Sequence, residues 1–440
     1  MGLIKNTIHT IVFQFINQAL GICSGILLAR LMGPEGKGIM SIFQANASFF
    51  SMLILFNLNK GMIYFGSSDE KLQLKIFNSV VAIVIILTAI LASVLFASSY
   101  FHISVLSGFV PPKYDSFLYL AYVVYQIFLS AVLVLFLSLF QGRENFKQAN
   151  WIDFSTSLIS LMIYAGLFAY SVCYEKQFDL YIFFLVTVAT SSIQLVIWAY
   201  LTYRNFGDAL CLEFIDLPLL KRIFNYSSLY FAGGILSFLI HRLDFWFVSY
   251  YRGQEQLGYY SLATNVAGVI FVITGSLFTV LFPRLSKMQD ASEKLDIISR
   301  ICRITVCISF FFCAFLYFVS SHLIPILYGK RFLPAVLPFN VMLGGTFMLS
   351  ITSIIAAYFS GSGLVKYNLR SASIGVLATI PLDIVLIPRY GIIGAAIATT
   401  VSFSVVNIYA CLVFYSIRRK FDFLFINFDD VVVLRSALLA

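Results

Sequence analysis

The chain has 440 residues, of which 60% are hydrophobic and only 11% are charged, and its mean hydropathy is +0.92. Because soluble domains carry about 25% charged residues, this composition excludes a water-soluble globular protein and indicates a polytopic membrane protein. The net charge of +9 is spread over many short connections, which excludes the concentrated basic patch of a nucleic-acid-binding protein.

Apolar windows of about 20 residues, the length that crosses a bilayer as a helix, recur along the whole chain. They predict an all-α membrane protein with twelve transmembrane helices. The predicted spans are residues 5–28, 39–58, 76–99, 116–140, 151–173, 180–203, 226–250, 258–282, 303–327, 333–359, 369–388 and 391–415.

The connections between these spans differ in basic charge. Of the 29 Lys and Arg residues, 20 fall in one alternating set of connections and 8 in the other. Since Lys and Arg are retained on the cytoplasmic side, the pattern predicts that both termini are cytoplasmic.

Two sequence blocks recur at nearly one offset and indicate an internal repeat. LMGPEGKGIMS (31–41) is similar to YRGQEQLGYYS (251–261), and FQGRENFK (140–147) is similar to FSGSGLVK (359–366). Repeated halves are a common plan of membrane transporters. The repeat predicts two pseudo-symmetric six-helix lobes, residues 1–205 and 225–417, joined by a cytoplasmic linker at 206–224 and followed by a cytoplasmic or interfacial tail at 418–440.

Helices 1 and 7, which the repeat aligns, each have one polar or small-residue face at helical spacing. Such faces are costly against lipid, so they are predicted either to line a wet cleft between the lobes or to pack against other helices. The faces consist of Asn6, Thr10, Gln14, Asn17, Gly21 and Ser24 on helix 1, and Tyr226, Tyr230, Gly234, Ser237, His241 and Asp244 on helix 7.

The charges on helix 7 leave two interpretations open. His241 and Asp244 are three residues apart and share a face, whereas Arg242 points elsewhere. Arg242 either binds an anionic group in the cleft or forms an ion pair with a neighbouring helix. Asp383, beside Pro381 in helix 11, either has a functional role or bonds backbone groups that the proline frees.

The repeat also pairs residues near the ends of helices. Lys147 and Lys366 are predicted at the inner mouth, where they either follow the positive-inside pattern or bind a phosphate-bearing headgroup. Four glycines are predicted in the turns between helices, as hinges of lobe movement or as ordinary turn residues: Gly33, Gly38, Gly253 and Gly258. The seven cysteines lack metal-ligand or disulfide spacing, and no catalytic, cofactor or metal site is predicted.

Three stretches resemble polysaccharide flippases of the Wzx type, a branch of the multidrug/oligosaccharidyl-lipid/polysaccharide (MOP) exporter superfamily. ILLARLMGPEGKGIMS (26–41) resembles the connection of helices 1 and 2, and LDFWFVSYYRGQEQLGYYSLAT (243–264) resembles that of helices 7 and 8, with Asp244 at the usual acidic position. LIPRYGIIGAAIATTVSF (386–403) resembles the turn between helices 11 and 12. Asp383 departs from the family pattern, in which Asn is more usual.

The resemblance implies a MATE-like fold and a transporter rather than an enzyme. It implies movement of undecaprenyl-pyrophosphate-linked oligosaccharide units across the bacterial cytoplasmic membrane by alternating access, for surface polysaccharide such as O-antigen. H+ or Na+ is the implied coupling ion, and polysaccharide polymerase and chain-length proteins are implied partners. The cations expected for the pyrophosphate are Arg30, Arg242, Lys147 and Lys366.

Two other functions compete with this interpretation. A MATE-like drug exporter would share the architecture and differ in the residues of its cleft. A membrane glycan polymerase or ligase would need a sizeable external loop with catalytic groups, and no predicted outer loop is long.

Overall fold

A computed structural model describes residues 2–66, 70–101, 117–143, 145–175, 178–207 and 217–425 of the chain. Every regular element in these ranges is helical, which confirms the predicted all-α fold. The helices are α1 (Gly2–Leu55), α2 (Leu58–Gly66), α3 (Glu70–Tyr100), α4 (Phe117–Gly142), α5 (Phe146–Tyr174), α6 (Leu180–Phe206), α7 (Leu217–Ala267), α8 (Ile270–Lys287), α9 (Ala291–Tyr328), α10 (Val336–Gly361) and α11 (Val365–Arg418).

Three helices are much longer than a bilayer is thick. α1 and α11 have 54 residues each and α7 has 51, or about 77 to 81 Å if straight at 1.5 Å per residue, against about 30 Å of hydrocarbon. A glycine with positive φ interrupts each of them: Gly33 (68°), Gly253 (80°) and Gly391 (61°). Each long helix therefore consists of two arms that meet at a glycine, because other residues are strained in this conformation.

Nine helices in the described ranges are long and apolar enough to cross a membrane. These spans, together with the fold, make the chain a multi-pass membrane protein. If each of the three long spans is divided at its glycine, the number of spans rises from nine to twelve. The count of twelve transmembrane helices stays a prediction. Several helices exceed the predicted spans, as α9 (Ala291–Tyr328) exceeds 303–327, because an apolar window marks only the part of a helix suited to hydrocarbon.

The chain divides into two compact units, Met1–Phe238 and Leu239–Ala440. The division lies inside the first arm of α7. The part of this arm up to Phe238 packs within the first unit, where the rings of Phe49 and Phe238 lie 5.4 Å apart between centroids. The predicted lobe boundary at 206–224 lies earlier in the chain and stays a prediction.

Each unit has a central helix, and the two central helices match in the repeat. α4 packs against α1, α2, α3 and α6 in the first unit, and α10 packs against α8, α9 and α11 in the second. α4 ends at Gly142 and α10 ends at Gly361, which are the glycines that the sequence repeat aligns. Lys147 and Lys366 are each the second residue of the following helix.

Both repeat-related glycines lie where another element packs closely. A Cβ at Gly142 would be 2.1 Å from Nε2 of Gln73, and a Cβ at Gly361 would be 2.7 Å from Cβ of Leu285. A side chain at either position would therefore force its neighbour to shift. The repeat thus preserves a tight contact at the end of each central helix.

The segment after α11 folds back onto the second unit. Arg418 forms an ion pair with Asp422 (Nε to Oδ1, 2.6 Å) and another with Asp296 (Nη1 to Oδ1, 2.9 Å). Arg303 donates a hydrogen bond to the Asp422 carbonyl (2.7 Å), and Phe423 is fully buried in the core. The hydrogen bonds from Arg418 hold the pKa of the Asp422 carboxyl below its ordinary value.

Phe423→Ala is expected to lower the free energy of unfolding of the second unit by about 3 to 5 kcal/mol, the usual effect of truncating a buried phenylalanine. Phe425→Ala is the matched control, because Phe425 is 71% exposed. Thermal unfolding of both variants in one detergent measures the difference. Equal melting temperatures would show that the tail does not contribute to the core.

Candidate functional site

The polar face predicted on helix 1 lies on the arm of α1 that precedes Gly33. Gln14 and Arg30 are exposed, and Asn17 and Ser24 are half-buried. The guanidinium of Arg30 lies over the ring of Phe168, 5.9 Å from its centroid. The first two members of the face have side chains outside the described part of the chain: Asn6 and Thr10.

The four predicted path residues on α7 differ in burial. Ser237 and His241 are exposed, Arg242 is half-buried, and Asp244 is only 2% exposed. The His241 ring lies 5.5 Å from that of Phe403 between centroids. The carboxylate of Asp244 therefore lies inside the second unit, which differs from the expectation that it shares one wet surface with His241.

Arg242 contacts an aromatic ring of its own helix. Its guanidinium lies 4.6 Å from the centroid of the Phe245 ring, a cation–π contact that stabilises the cation where water is scarce. The contact does not distinguish between the two predicted roles of Arg242, anion binding and ion pairing, and both stay predictions.

Asp244 belongs to a buried polar cluster formed by three helical arms. The Tyr260 hydroxyl donates a hydrogen bond to Oδ2 of Asp244, and the Thr399 hydroxyl lies 3.2 Å from the same oxygen and 2.9 Å from the Tyr260 hydroxyl. Oδ1 of Asp244 has no hydrogen-bond partner among the described residues. An unpaired buried carboxylate oxygen is costly, so this atom is a candidate ligand for a cation.

Asp383 adds a second buried carboxylate to this cluster. It is 0% exposed, and within the described ranges neither of its carboxylate oxygens has a hydrogen-bond partner. This excludes the alternative that Asp383 bonds backbone groups freed by Pro381. It lies close enough to Asp244 for their charges to interact, so two like charges would repel each other in a medium of low dielectric constant. A proton or a metal cation would relieve that repulsion.

Sequence reasoning did not find Tyr260 and Thr399. Tyr260 lies 16 residues after Asp244, beyond the kink at Gly253, and Thr399 lies in the arm of α11 after Gly391. Hydroxyl residues are common in membrane helices as packing groups, so neither carried a distinctive signal. Asp383 did carry one, as a charged residue inside an apolar window.

The predicted hinge glycines fall into two classes. Gly33 and Gly253 lie at the kinks of α1 and α7, with nearly the same backbone (ψ −175° and −178°), so the repeat reproduces the kink itself. Gly38 and Gly258 instead lie buried inside the following helical arms, which corrects their prediction as turn residues. No multi-residue turn is needed, because the chain changes direction at one glycine.

Arg252 connects two kinks of the second unit. Its Nε donates a hydrogen bond to the Ile387 carbonyl (3.2 Å), and Nη2 donates to the Pro388 carbonyl. The non-helical backbone at Gly391 interrupts the helical hydrogen bonds that these two carbonyls would otherwise accept, so the guanidinium of Arg252 takes the place of the missing donors. The residue aligned with Arg252 in the repeat is Met32, so this connection is specific to the second unit.

Lys147 and Lys366 are both exposed in the first turn of their helices. The ammonium of Lys366 lies 5.3 Å from the centroid of the Tyr367 ring. Their equivalent places follow the repeat, and their contact with a headgroup stays a prediction.

Comparison with known proteins identifies the family. The sequence profile of the family described as "Polysaccharide biosynthesis protein" matches residues 3–289. The chain belongs to this family. The resemblance seen in the helix-connecting stretches is thereby confirmed.

Two relatives have descriptions that name a transport step. The chain is 22% identical to the "Putative O-antigen transporter" of Shigella flexneri over 91% of this chain and 95% of that protein. It is 24% identical to the "Probable low-salt glycan biosynthesis flippase Agl15" of Haloferax volcanii over 42% of this chain, a match that spans only 40% of the length of that relative.

Two solved structures share the fold. "Lipid II flippase MurJ, inward closed conformation" aligns with a TM-score of 0.67 at 17% identity, over 98% of this chain and 92% of that one. An inward-facing multidrug resistance MATE family transporter of the MOP superfamily aligns with a TM-score of 0.66 at 13% identity, over 93% and 99%. The predicted MATE-like fold is confirmed.

Proposed function

We propose that this family member is a flippase that moves polyprenyl-pyrophosphate-linked oligosaccharide units across the bacterial cytoplasmic membrane for surface polysaccharide synthesis. The observation that carries the proposal is the similarity to the O-antigen transporter of Shigella flexneri over nearly the full length of both chains. Alternating access is the proposed mechanism, and a transporter without catalytic chemistry is proposed rather than an enzyme.

The polar residues of α1 and α7 support a hydrophilic path. A glycan cannot cross about 30 Å of hydrocarbon without hydrogen-bonding groups. Gln14, Ser237 and His241 are exposed polar side chains on apolar helices, which the bilayer would disfavour if they faced acyl chains. Arg30 and Arg242 are the proposed cations for the pyrophosphate, since guanidinium binds phosphate oxygens well.

The buried cluster of Asp244, Asp383, Tyr260 and Thr399 is the proposed site of the coupling ion. Three of its carboxylate oxygens have no hydrogen-bond partner in the described part of the chain, and coupling ions of membrane transporters bind at such interrupted helices. Across the described ranges no three His, Cys, Asp or Glu residues come together, which favours a monovalent ion, H+ or Na+, over a transition metal.

The proposed orientation has both termini in the cytoplasm, because basic residues concentrate in one set of connections. In this orientation the N-terminal ends of α5 and α11, with Lys147 and Lys366, are at the inner surface. Polymerase and chain-length proteins are proposed as partners that act on the delivered unit.

Deleting the gene tests the proposed function. We expect loss of surface polysaccharide and accumulation of the complete lipid-linked unit in the inner leaflet, because assembly continues while translocation stops. Complementation with the intact gene is the control. Accumulation of complete but unpolymerised units in the outer leaflet would instead indicate a polymerase, and an unchanged lipid-linked pool would contradict the proposal.

A MATE-like drug exporter is the second candidate, favoured by the structural likeness to a multidrug transporter. It predicts higher sensitivity of the deletion strain to cationic drugs with surface polysaccharide unchanged. The two measurements on one strain separate the candidates.

A further inference from the structure

Three tyrosines at the start of α7 and in α2 form an exposed aromatic surface, here called the tyrosine platform: Tyr64, Tyr226 and Tyr230. The rings of Tyr64 and Tyr226 are stacked, with centroids 4.5 Å apart and planes 15° apart. Tyr230 lies one turn further along α7, with its ring 5.4 Å from Tyr226 and its hydroxyl 3.3 Å from the Tyr226 hydroxyl. Tyr64 is 60% exposed and Tyr230 is 48% exposed.

Close packing of α2 against α7 holds the stacked pair together. A Cβ at Gly61 would lie 2.5 Å from Cγ2 of Ile223 and 3.0 Å from the Ser227 hydroxyl, so only glycine allows this approach. Gly61 and Ile223 each precede a stacked tyrosine by three residues. One helical turn after this contact, Tyr64 therefore meets Tyr226.

The two residues before α2 also hold α2 and α7 together. Phe56 and Asn57 both have positive φ (47° and 52°), which is unusual for a bulky residue such as phenylalanine. The Phe56 ring is stacked between Phe224 (4.2 Å) and Phe231 (3.9 Å), and Asn57 donates a hydrogen bond to the Tyr230 carbonyl (3.2 Å). These contacts keep the platform in place before any ligand binds.

Cations lie beside the platform. Lys60 is exposed and precedes Tyr64 by four residues, and Arg222 is exposed and precedes Tyr226 by four residues, so each lies on the face of its neighbouring tyrosine. The guanidinium of Arg222 lies 5.5 Å from the centroid of the Phe65 ring. The surface thus combines exposed aromatic rings, phenolic hydroxyls and positive charge.

This combination matches a sugar attached to a pyrophosphate. One face of a pyranose ring carries C–H groups with slight positive charge, which the negative face of an aromatic ring attracts, while its hydroxyls bond phenols that both donate and accept. The pyrophosphate is complementary to the ammonium and guanidinium groups. Tyr226 and Tyr230 also begin the polar face of α7 that continues to Ser237 and His241.

We propose that the tyrosine platform binds a sugar ring of the lipid-linked oligosaccharide at the cytoplasmic surface, before translocation. The proposal rests on the proposed function and deepens it, because it assigns recognition of the sugar to the three tyrosines, as distinct from the cations that contact the pyrophosphate. The site selects a glycosylated carrier over the bare carrier lipid.

The test compares two probes on the full-length protein in nanodiscs. One probe is the lipid-linked oligosaccharide purified from the deletion strain, and the other is undecaprenyl pyrophosphate without sugar. Tyr64→Ala and Tyr64→Leu are each expected to weaken binding of the glycosylated probe about three- to tenfold and to leave the bare carrier unaffected. Tyr64→Trp is expected to bind normally and to show a fluorescence change with the glycosylated probe only.

Tyr200→Ala is the matched control, because Tyr200 on α6 is also 60% exposed, and it is expected to bind both probes as wild type does. Equal weakening of both probes by the Tyr64 variants would overturn the proposal and identify the platform as part of the aromatic belt that anchors helices at the membrane interface. Unchanged binding in folded Tyr64→Leu protein would also overturn it while leaving the flippase function intact. Wild-type protein that binds neither probe would contradict the flippase function itself.

Discussion

Asp383→Asn and Asp244→Asn are each expected to reduce transport at least about tenfold, which corresponds to ~1.4 kcal/mol, at normal protein level. Both substitutions preserve side-chain shape and remove one negative charge from the buried cluster. Since the proposed ion is bound by the unpartnered oxygens of these two residues, either change removes a ligand and one of the negative charges that attract the cation. The measurement is surface polysaccharide per cell in a complemented deletion strain.

Direct ion binding separates this mechanism from a folding defect. If Na+ is the ion, NaCl is expected to raise the melting temperature of wild-type protein above that in choline chloride of equal concentration, because a ligand that binds only the folded state stabilises it. Asp383→Asn is expected to lose this difference. Asp290→Asn is the control, since Asp290 caps α9 outside the predicted spans and Asn caps helices equally well.

A proton-coupled carrier would show a different result in the same experiment. NaCl and choline chloride would then have equal effects, and transport by the wild-type protein would depend on the pH gradient. Wild-type transport rates in both Asp variants would contradict the assignment of the cluster to ion binding.

Gly253→Ala is expected to lower the free energy of unfolding by about 1 to 3 kcal/mol, the usual cost of holding an L-residue in a conformation reserved for glycine. Gly253 has φ 80° and ψ −178°, and no atom lies within 4 Å of a Cβ at this position. The effect therefore measures backbone conformation alone, without a steric clash. Transport is expected to fall as well, because the kink is the proposed hinge.

Gly233→Ala is the matched control on the same helix. Its Cβ would also meet no atom within 4 Å, but Gly233 lies in regular helix, where alanine is preferred by up to about 1 kcal/mol. The two substitutions are thus expected to change stability in opposite directions. Equal effects of both on unfolding in mixed detergent would show that the kink at Gly253 is not a fixed feature of the fold.

The sequence was most informative where it repeats. Gly33 and Gly253 align in the two blocks, and the structure gives both the same kink, because a single glycine conformation changes the direction of the helix in each half. Gly142 and Gly361 likewise align and likewise permit close packing. These structural equivalences could be inferred from the sequence repeat, because few residues can replace glycine where the backbone has positive φ or where another element packs closely.

The buried ion cluster was less predictable. Asp244 and Asp383 are visible as charges in apolar windows, but their meeting depends on how each arm is rotated after its kink, which periodicity does not specify. The same rotation brings Tyr260 back to Asp244 and turns the carboxylate inward, while His241 three residues earlier is exposed. Helical spacing alone places His241 and Asp244 on one face of α7. It does not show which side of that face is buried and which is exposed.

The most direct test of the flippase account is translocation by the purified protein in liposomes that contain the lipid-linked oligosaccharide in both leaflets. A membrane-impermeant glycosidase added outside reports the fraction that reaches the outer leaflet. We predict that, with the coupling-ion gradient imposed, the intact protein renders the inner-leaflet pool accessible, whereas liposomes without protein and liposomes with Asp383→Asn retain it. An inner pool that stays protected in the presence of folded wild-type protein and either ion gradient would contradict the account.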